Sequence, residues 1–94
     1  MSRGAVLEKL ARVRATLDVT IESIASGATS IAQVFAAADD PTIRHLYAVK
    51  AMEADPRVGK VRARRMLGDL GLGETVRIGD LTTAQMAAIT AGVA

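Results

Sequence analysis

The apolar positions near the start of the chain recur every three or four residues, which is the period of an α-helix. They are Leu7, Leu10, Leu17, Ile21 and Ile24, and Arg14 stands where another apolar residue would fall. The pattern predicts one long helix over residues 5–25 that stops at Gly27. We expect its apolar stripe to join the protein core, and the alternative is pairing with a second copy of the chain.

Capping signals divide the rest of the chain into shorter helices. Ser30 with Gln33, and Thr82 with Gln85, have the spacing of a capping box, in which each side chain pairs with the backbone of the other residue. The first box predicts a short helix that runs to about Ala38. The second box predicts the start of the last helix.

The two proline residues mark further helix boundaries. Asp40 before Pro41 predicts a helix start, because aspartate is a favoured N-cap and proline fits the first helical position. This helix either runs unbroken to Ala54 or breaks near residues 44–45. It ends at about Ala54, since a proline follows Asp55 and the residue before proline is driven out of the helical region.

The segment "ADPRVGKVRARRM", residues 54–66, combines a very short turn with a strongly basic helix start. Gly59 is expected to cap a helix from Lys60 to Leu70, which Gly71 ends in a left-handed conformation. At 100° per residue, one face of this helix is apolar and is predicted to be buried; it carries Ala63, Met66, Leu67 and Leu70. The basic residues cover the remaining arc and the turn before it, and they are Arg57, Lys60, Arg62, Arg64 and Arg65.

Together these elements predict an all-α fold, a compact bundle of about five helices. No segment of useful length alternates apolar and polar residues as a strand does. We expect a single domain over residues 1–94, with a long N-terminal helix in residues 1–27 and a core in residues 28–94. No apolar run approaches the roughly 20 residues of a membrane span, so we expect no membrane contact.

Charge is distributed unevenly along the chain. Residues 1–43 hold four basic and five acidic groups, whereas residues 44–77 hold eight basic and four acidic groups. A net charge of only +2 with one basic region indicates a defined anion-binding surface. The turn at Gly59 suits such a role, because a helix start offers free N–H groups and glycine lets an anion approach them closely. Arg57 and Lys60 flank this glycine, and Arg64 lies one turn further on the same face.

Other chemistry finds little support in the sequence. The absence of cysteine excludes disulfides and thiolate metal sites, and His45 is the only histidine. We interpret His45 as a surface residue, and Asp39 and Asp40 as capping residues. No acid, base and nucleophile can be assembled, so we expect neither an enzyme nor a cofactor nor a metal site.

Residues 45–72, "HLYAVKAMEADPRVGKVRARRMLGDLGL", resemble the core of the actinobacterial, mycobacterial-type integration host factors. The element "P-x-V-G-K-V", the helix after it and the downstream "VRIGDL" match in order and spacing over about residues 30–91. The resemblance implies a helix-two-turns-helix fold. It also implies binding and bending of double-stranded DNA with little sequence preference, and support of integrase-driven recombination. A divergent or phage-encoded copy fits the same resemblance.

Carried over to this chain, the family's DNA contacts fall on Arg57, Gly59 and Lys60 in the turn and on Arg64 in the helix. The family also has an arginine cluster in the loop before the last helix, where only Arg77 is basic here. The neighbouring Arg62 and Arg65 complete the expected DNA-binding set. The resemblance implies a protein of the cytoplasmic nucleoid, with duplex DNA and a phage integrase on that DNA as partners. We expect a monomer, and a dimer through the first helix stays open.

A second class of function is compatible with the same residues. The fold resembles that of a ribosomal small-subunit protein, so the basic region could serve a helical module that binds RNA or an acidic protein. Tyr47 is interpreted as a half-buried core residue, because a single aromatic side chain offers no platform for stacking single-stranded bases.

Overall fold

The computed structural model describes residues 3–93 of the chain, and the side chains of residues 10–93. Five α-helices follow one another: α1 (Arg3–Ala25), α2 (Ile31–Ala36), α3 (Ala48–Ala54), α4 (Gly59–Asp69) and α5 (Thr83–Val93). Two single 3₁₀ turns lie between them, at Ile43–His45 and Ile78–Asp80. The prediction of an all-α fold with about five helices is confirmed. Extended pairing within the described residues is limited to one isolated antiparallel bridge, between Tyr47 and Arg77.

Three of the predicted caps hold helix ends, but the prediction for Gly59 is wrong, because α4 begins at Gly59 itself with Val58 as the N-cap. At the start of α2, the Ser30 hydroxyl accepts the Gln33 N–H while the Gln33 side chain accepts the Ser30 N–H, which completes a capping box. The Thr82 and Gln85 pair does the same before α5. Gly71 ends α4 with φ +72°, and the next N–H reaches back to the Leu67 carbonyl oxygen at 2.8 Å, as in a Schellman motif.

The segment from Asp40 to Ala54 is not one continuous helix. It breaks, as the second of the two predicted alternatives describes. The Asp40 carboxylate accepts the backbone N–H groups of Ile43 and Thr42, which lowers its pKa and starts only the 3₁₀ turn. The chain is extended at Leu46 before α3 begins. α2 also ends at Ala36, earlier than the predicted Ala38, because the next residues form turns instead of continuing the helix.

The core forms around α3, which contacts both α1 and α4. Ala48, Ala51 and Met52 of this helix have no exposed surface. On α4, Ala63 and Leu67 are buried, and Met66 and Leu70 pack against the core from its edge, as the apolar face predicted. Small alanines on α3 and α4 therefore let the two helices approach closely, which fixes the short turn between them.

The apolar stripe of α1 reaches the core only with its second half. Ile24 is buried and Leu17 and Ile21 pack partly against the core, but Leu10 is 59% exposed. The expectation that the stripe is core is therefore wrong at Leu10, because the 23-residue α1 extends beyond the seven-residue α3 on which it packs. The side chain of Leu7 lies outside the described residues. Among the helices described, none is long and apolar enough to cross a membrane.

Candidate nucleic-acid interface

A tight turn joins α3 to α4 and leaves the start of α4 open. The Asp55 carbonyl oxygen accepts the N–H groups of Val58 at 2.9 Å and Gly59 at 3.2 Å, so the chain reverses over residues 55–58. Gly59 has φ +74°, which glycine adopts without the steric cost that a side chain would add. No atom lies within 4 Å of the position that a Cβ would occupy at Gly59. A ligand can therefore approach the backbone here.

Arg57 is bound to the acidic residue at the end of α3. Asp55 is only 4% exposed, and its carboxylate accepts the Arg57 backbone N–H at 2.8 Å, Nε at 3.2 Å and Nη2 at 3.0 Å. The hydrogen bonds from Arg57 lower the pKa of Asp55, and Asp55 in turn raises the pKa of Arg57. The Arg57 side chain remains 60% exposed, so this pair shapes the turn while one face of the guanidinium stays accessible.

Arg62 joins the turn to the last helix through two hydrogen bonds. Its guanidinium donates to the Arg57 carbonyl oxygen at 2.9 Å and to the carbonyl oxygen of Gly92. Gly92 lies in the final turn of α5, where carbonyl groups have no partner within the helix. Arg62 thus supplies hydrogen bonds to two otherwise free carbonyls, which is a structural task that the sequence pattern did not indicate.

Arg64 lies between two carboxylates that its own helix does not supply. It donates to Glu74 in the loop after α4, to Glu53 of α3 at 3.3 Å, and to the Lys60 carbonyl oxygen at 3.1 Å. The hydrogen bond that Arg64 donates to Glu74 is the main cause of the raised pKa of Arg64. Burial raises the pKa of Glu53, but the hydrogen bonds and positive charges of Lys50 and Arg64 lower it by a larger amount. The pKa of Glu53 is therefore lowered overall. The basic face is therefore interleaved with acidic residues in space, although not in sequence.

Lys60 and Arg65 are the least engaged of the predicted basic residues. Both side chains are exposed, and neither makes an ion pair with an acidic side chain in the part of the chain whose side chains are described. Lys60 also borders an open groove between α1 and α3 whose rim carries Arg14 and Lys50. Its charge can therefore meet a ligand from the turn or from the groove.

Arg77 occupies a second position, at the other end of α3. Its guanidinium carbon lies 5.3 Å from the centroid of the Tyr47 ring, and Tyr47 itself is 39% exposed. The loop that carries Arg77 is fixed by contact between the two 3₁₀ turns, where a Cβ on Gly79 would lie only 2.8 Å from the Arg44 Cβ. Because α3 has seven residues, roughly 10 Å of helix separates the two positions.

Six of the seven residues predicted to bind DNA lie in the turn or in α4. Arg77 lies about the length of α3 away from them. Sequence reasoning missed Glu53 and Glu74 at Arg64, and Lys50 on α3. Its interpretation of Tyr47 as a core residue is wrong, because Tyr47 is exposed beside Arg77. Lys50 and Glu53 could have been recognised from their spacing of three residues, which puts them on one face of the helix before the turn. Among the side chains of residues 10–93, no group of acidic and histidine residues could hold a metal ion. The exposed basic side chains of the turn and α4 suit an anion instead.

Two helices joined by a tight, basic turn and buttressed by a long N-terminal helix define a helix-two-turns-helix protein. The chain belongs to the family described as the S13-like H2TH domain, whose family model matches residues 24–92. The fold is also similar to a solved structure described as "Structure of sIHF bound to an 8bp palindromic DNA", with a TM-score of 0.84. The two chains share 25% sequence identity over 93% of this chain and 99% of that one.

Proposed function

We propose that this protein is an architectural DNA-binding protein that holds the phosphate backbone of double-stranded DNA. The observation that carries the proposal is the open, left-handed turn at Gly59, set among basic side chains in a fold similar to that of a DNA-bound protein. The Gly59 N–H is bound to the Asp55 carbonyl oxygen, but the next N–H groups of α4 have no partner within the helix. Together with the partial positive charge of that helix end, they attract phosphate. Lys60 and Arg65 add full charges beside it, and Arg57 and Arg64, each paired with carboxylates, border it.

The contacts proposed here are largely independent of base sequence. Readout of adenine edges uses asparagine or glutamine, and the segment from Arg57 to Asp69 contains neither. Arginine and lysine bound to phosphates fix the register of a duplex without reading its sequence. We therefore expect binding with little sequence preference, and loss of affinity as salt rises.

The direct test is titration of a fluorescent random-sequence duplex with the protein at several salt concentrations. With about five phosphate contacts, affinity should fall roughly a hundredfold between about 50 and 150 mM salt. Duplex RNA of the same length is the matched competitor, because RNA binding is the alternative function that the same basic residues allow. A flat salt dependence, or an equal preference for RNA, would contradict the proposal.

The second basic position supports a further step, the bending of DNA. Smooth bending of a short site by 40–90° costs about 1–6 kcal/mol, so a few additional phosphate contacts, one of them made by Arg77, would offset only the lower part of that range. We expect a moderate bend, and end-to-end energy transfer on a doubly labelled duplex at saturating protein measures it. Arg77→Ala should reduce the bend more than the affinity, while Arg64→Ala should lower affinity for straight and bent DNA alike. An unchanged end-to-end distance with the wild-type protein would rule out bending.

The biological role follows from binding and bending together. We propose that the protein acts as a monomer on the nucleoid in the cytoplasm and assists integrase-mediated recombination by shaping DNA for a phage integrase. The support is the resemblance of residues 45–72 to actinobacterial integration host factors. An integration assay with a purified integrase, with and without this protein, tests the role, and equal yields in both reactions would exclude it.

A further inference from the structure

The backbone places the side chains of Tyr47 and Arg77 face to face. Hydrogen bonds of 2.9 Å join Ala48 N–H to the Val76 carbonyl oxygen and Ile78 N–H to the Leu46 carbonyl oxygen. These bonds flank Tyr47 and Arg77, which therefore form a non-hydrogen-bonded antiparallel pair, the kind in which opposed side chains come closest.

The Tyr47 ring contributes little to the core. Its neighbours Leu46 and Ala48 are buried at 5% and 0% exposure, so the extended chain turns Tyr47 outward between them. The hydrogen bonds of the bridge are made by backbone atoms and do not need the ring. The guanidinium carbon of Arg77 lies over that ring at 5.3 Å, within the range of a cation–π interaction.

Arg77 differs in this respect from Arg57 and Arg64. Those two arginines are held by carboxylates, whereas no ion pair joins Arg77 to an acidic side chain among residues 10–93. An aromatic face restrains a guanidinium without neutralising it, so the full charge remains for an external anion.

We propose that Tyr47 is a positioning residue that holds Arg77 ready to contact a phosphate of duplex DNA. The inference rests on the proposed function and extends it to a residue outside the basic turn. Restraining Arg77 before binding reduces the side-chain entropy lost when its guanidinium meets the phosphate. Tyr47 acts through Arg77, so removing the ring matters only while the arginine is present.

The test is a double-mutant cycle on duplex binding with Tyr47→Leu, Arg77→Ala and both together, and Tyr47→Phe as the matched control that keeps the ring. Tyr47→Leu should weaken binding by about two- to fivefold, and Tyr47→Phe should match the wild type. Arg77→Ala should reduce the slope of log affinity against log salt by about 0.9, and adding Tyr47→Leu should change nothing further. Thermal unfolding of each variant separates folding from binding.

A second readout needs no DNA. The Arg77 Hδ protons should show an upfield NMR shift from the Tyr47 ring that is lost in Tyr47→Leu and kept in Tyr47→Phe. Wild-type affinity in Tyr47→Leu, or equal losses from Tyr47→Leu with and without Arg77, would overturn the inference while leaving DNA binding intact. Failure of the wild-type protein to bind any duplex would instead overturn the proposed function, and this inference with it.

Discussion

Arg64 donates a hydrogen bond to Glu74, a residue ten positions further along the chain in the loop after α4. With Glu53 on its other side, this arginine is partly neutralised before any ligand arrives. A phosphate that contacts Arg64 must compete with two carboxylates for it. The strength of the proposed interface therefore depends on acidic residues as much as on basic ones.

Replacing Glu74 with glutamine should tighten DNA binding. Glu74 is 60% exposed, so its pair with Arg64 is a surface ion pair that water and salt weaken. Releasing Arg64 should raise affinity by roughly two- to fivefold at low salt, as measured by fluorescence anisotropy. Glu22→Gln on α1 is the control, because it removes the same charge from an exposed position outside the turn and α4. An equal gain in both variants would mean that net charge alone sets affinity.

The turn can be tested by comparing two glycines with the same backbone conformation. Gly59 and Gly71 have φ of +74° and +72°, and the Cβ position of each is open. Asparagine tolerates this conformation better than most residues, so each substitution should cost less than about 1 kcal/mol of folding free energy. Only Gly59→Asn should weaken DNA binding, since its side chain fills the space at the start of α4. Equal affinities of Gly59→Asn and Gly71→Asn for DNA would show that the turn is purely structural.

Arg62 and Arg65 form a matched pair for separating stability from binding. Each substitution by alanine removes one positive charge from the same helix. Arg62→Ala also removes hydrogen bonds to the Arg57 and Gly92 carbonyl oxygens, which should cost about 1 kcal/mol and lower Tm by about 4–8 °C. Arg65→Ala should leave Tm unchanged in calorimetry and weaken DNA binding. A larger Tm loss in Arg65→Ala than in Arg62→Ala would contradict the assignment.

Asp55 should make stability sensitive to acid. Its pKa in the folded protein lies below the ordinary value of 3.8, because it accepts hydrogen bonds from Arg57. A lowered folded pKa contributes stability that is present above the unfolded pKa and is lost as pH falls through the folded value. Urea unfolding of the wild type should therefore show a falling free energy below about pH 4. Asp55→Asn should be less stable by about 1–3 kcal/mol at neutral pH, with a shallower decline. Parallel pH curves for the two proteins would refute this role.

The features that the sequence predicted well are those with local causes. A capping box needs only Ser30 and Gln33, and the end of α3 needs only the proline after Asp55. The sequence does not decide whether the chain breaks between Asp40 and α3. The choice between one helix and a 3₁₀ turn depends on what Leu46 packs against. That neighbour comes from distant parts of the chain.

The partners of the basic side chains lie beyond the reach of sequence spacing. Arg64 meets Glu53 and Glu74 at separations of eleven and ten residues, and Arg62 meets Gly92 at thirty. Helical periodicity relates residues three or four apart, so it cannot anticipate contacts made across a turn. For the same reason periodicity placed Leu10 in the core, since it shows the apolar face of α1 but not how far α3 extends along it.

Backbone hydrogen bonds join Leu46 to Ile78 and Ala48 to Val76. They close the chain into a ring that contains α3, the basic turn, α4 and the following loop. We therefore expect the two halves of the proposed interface to open together, as one cooperative unit. The Ala48 and Ile78 amide hydrogens should exchange with solvent as slowly as those of the core. Cleavage of the chain between Leu70 and Val76 would open this ring, and we expect the proposed DNA-binding surface then to be lost together with the fold.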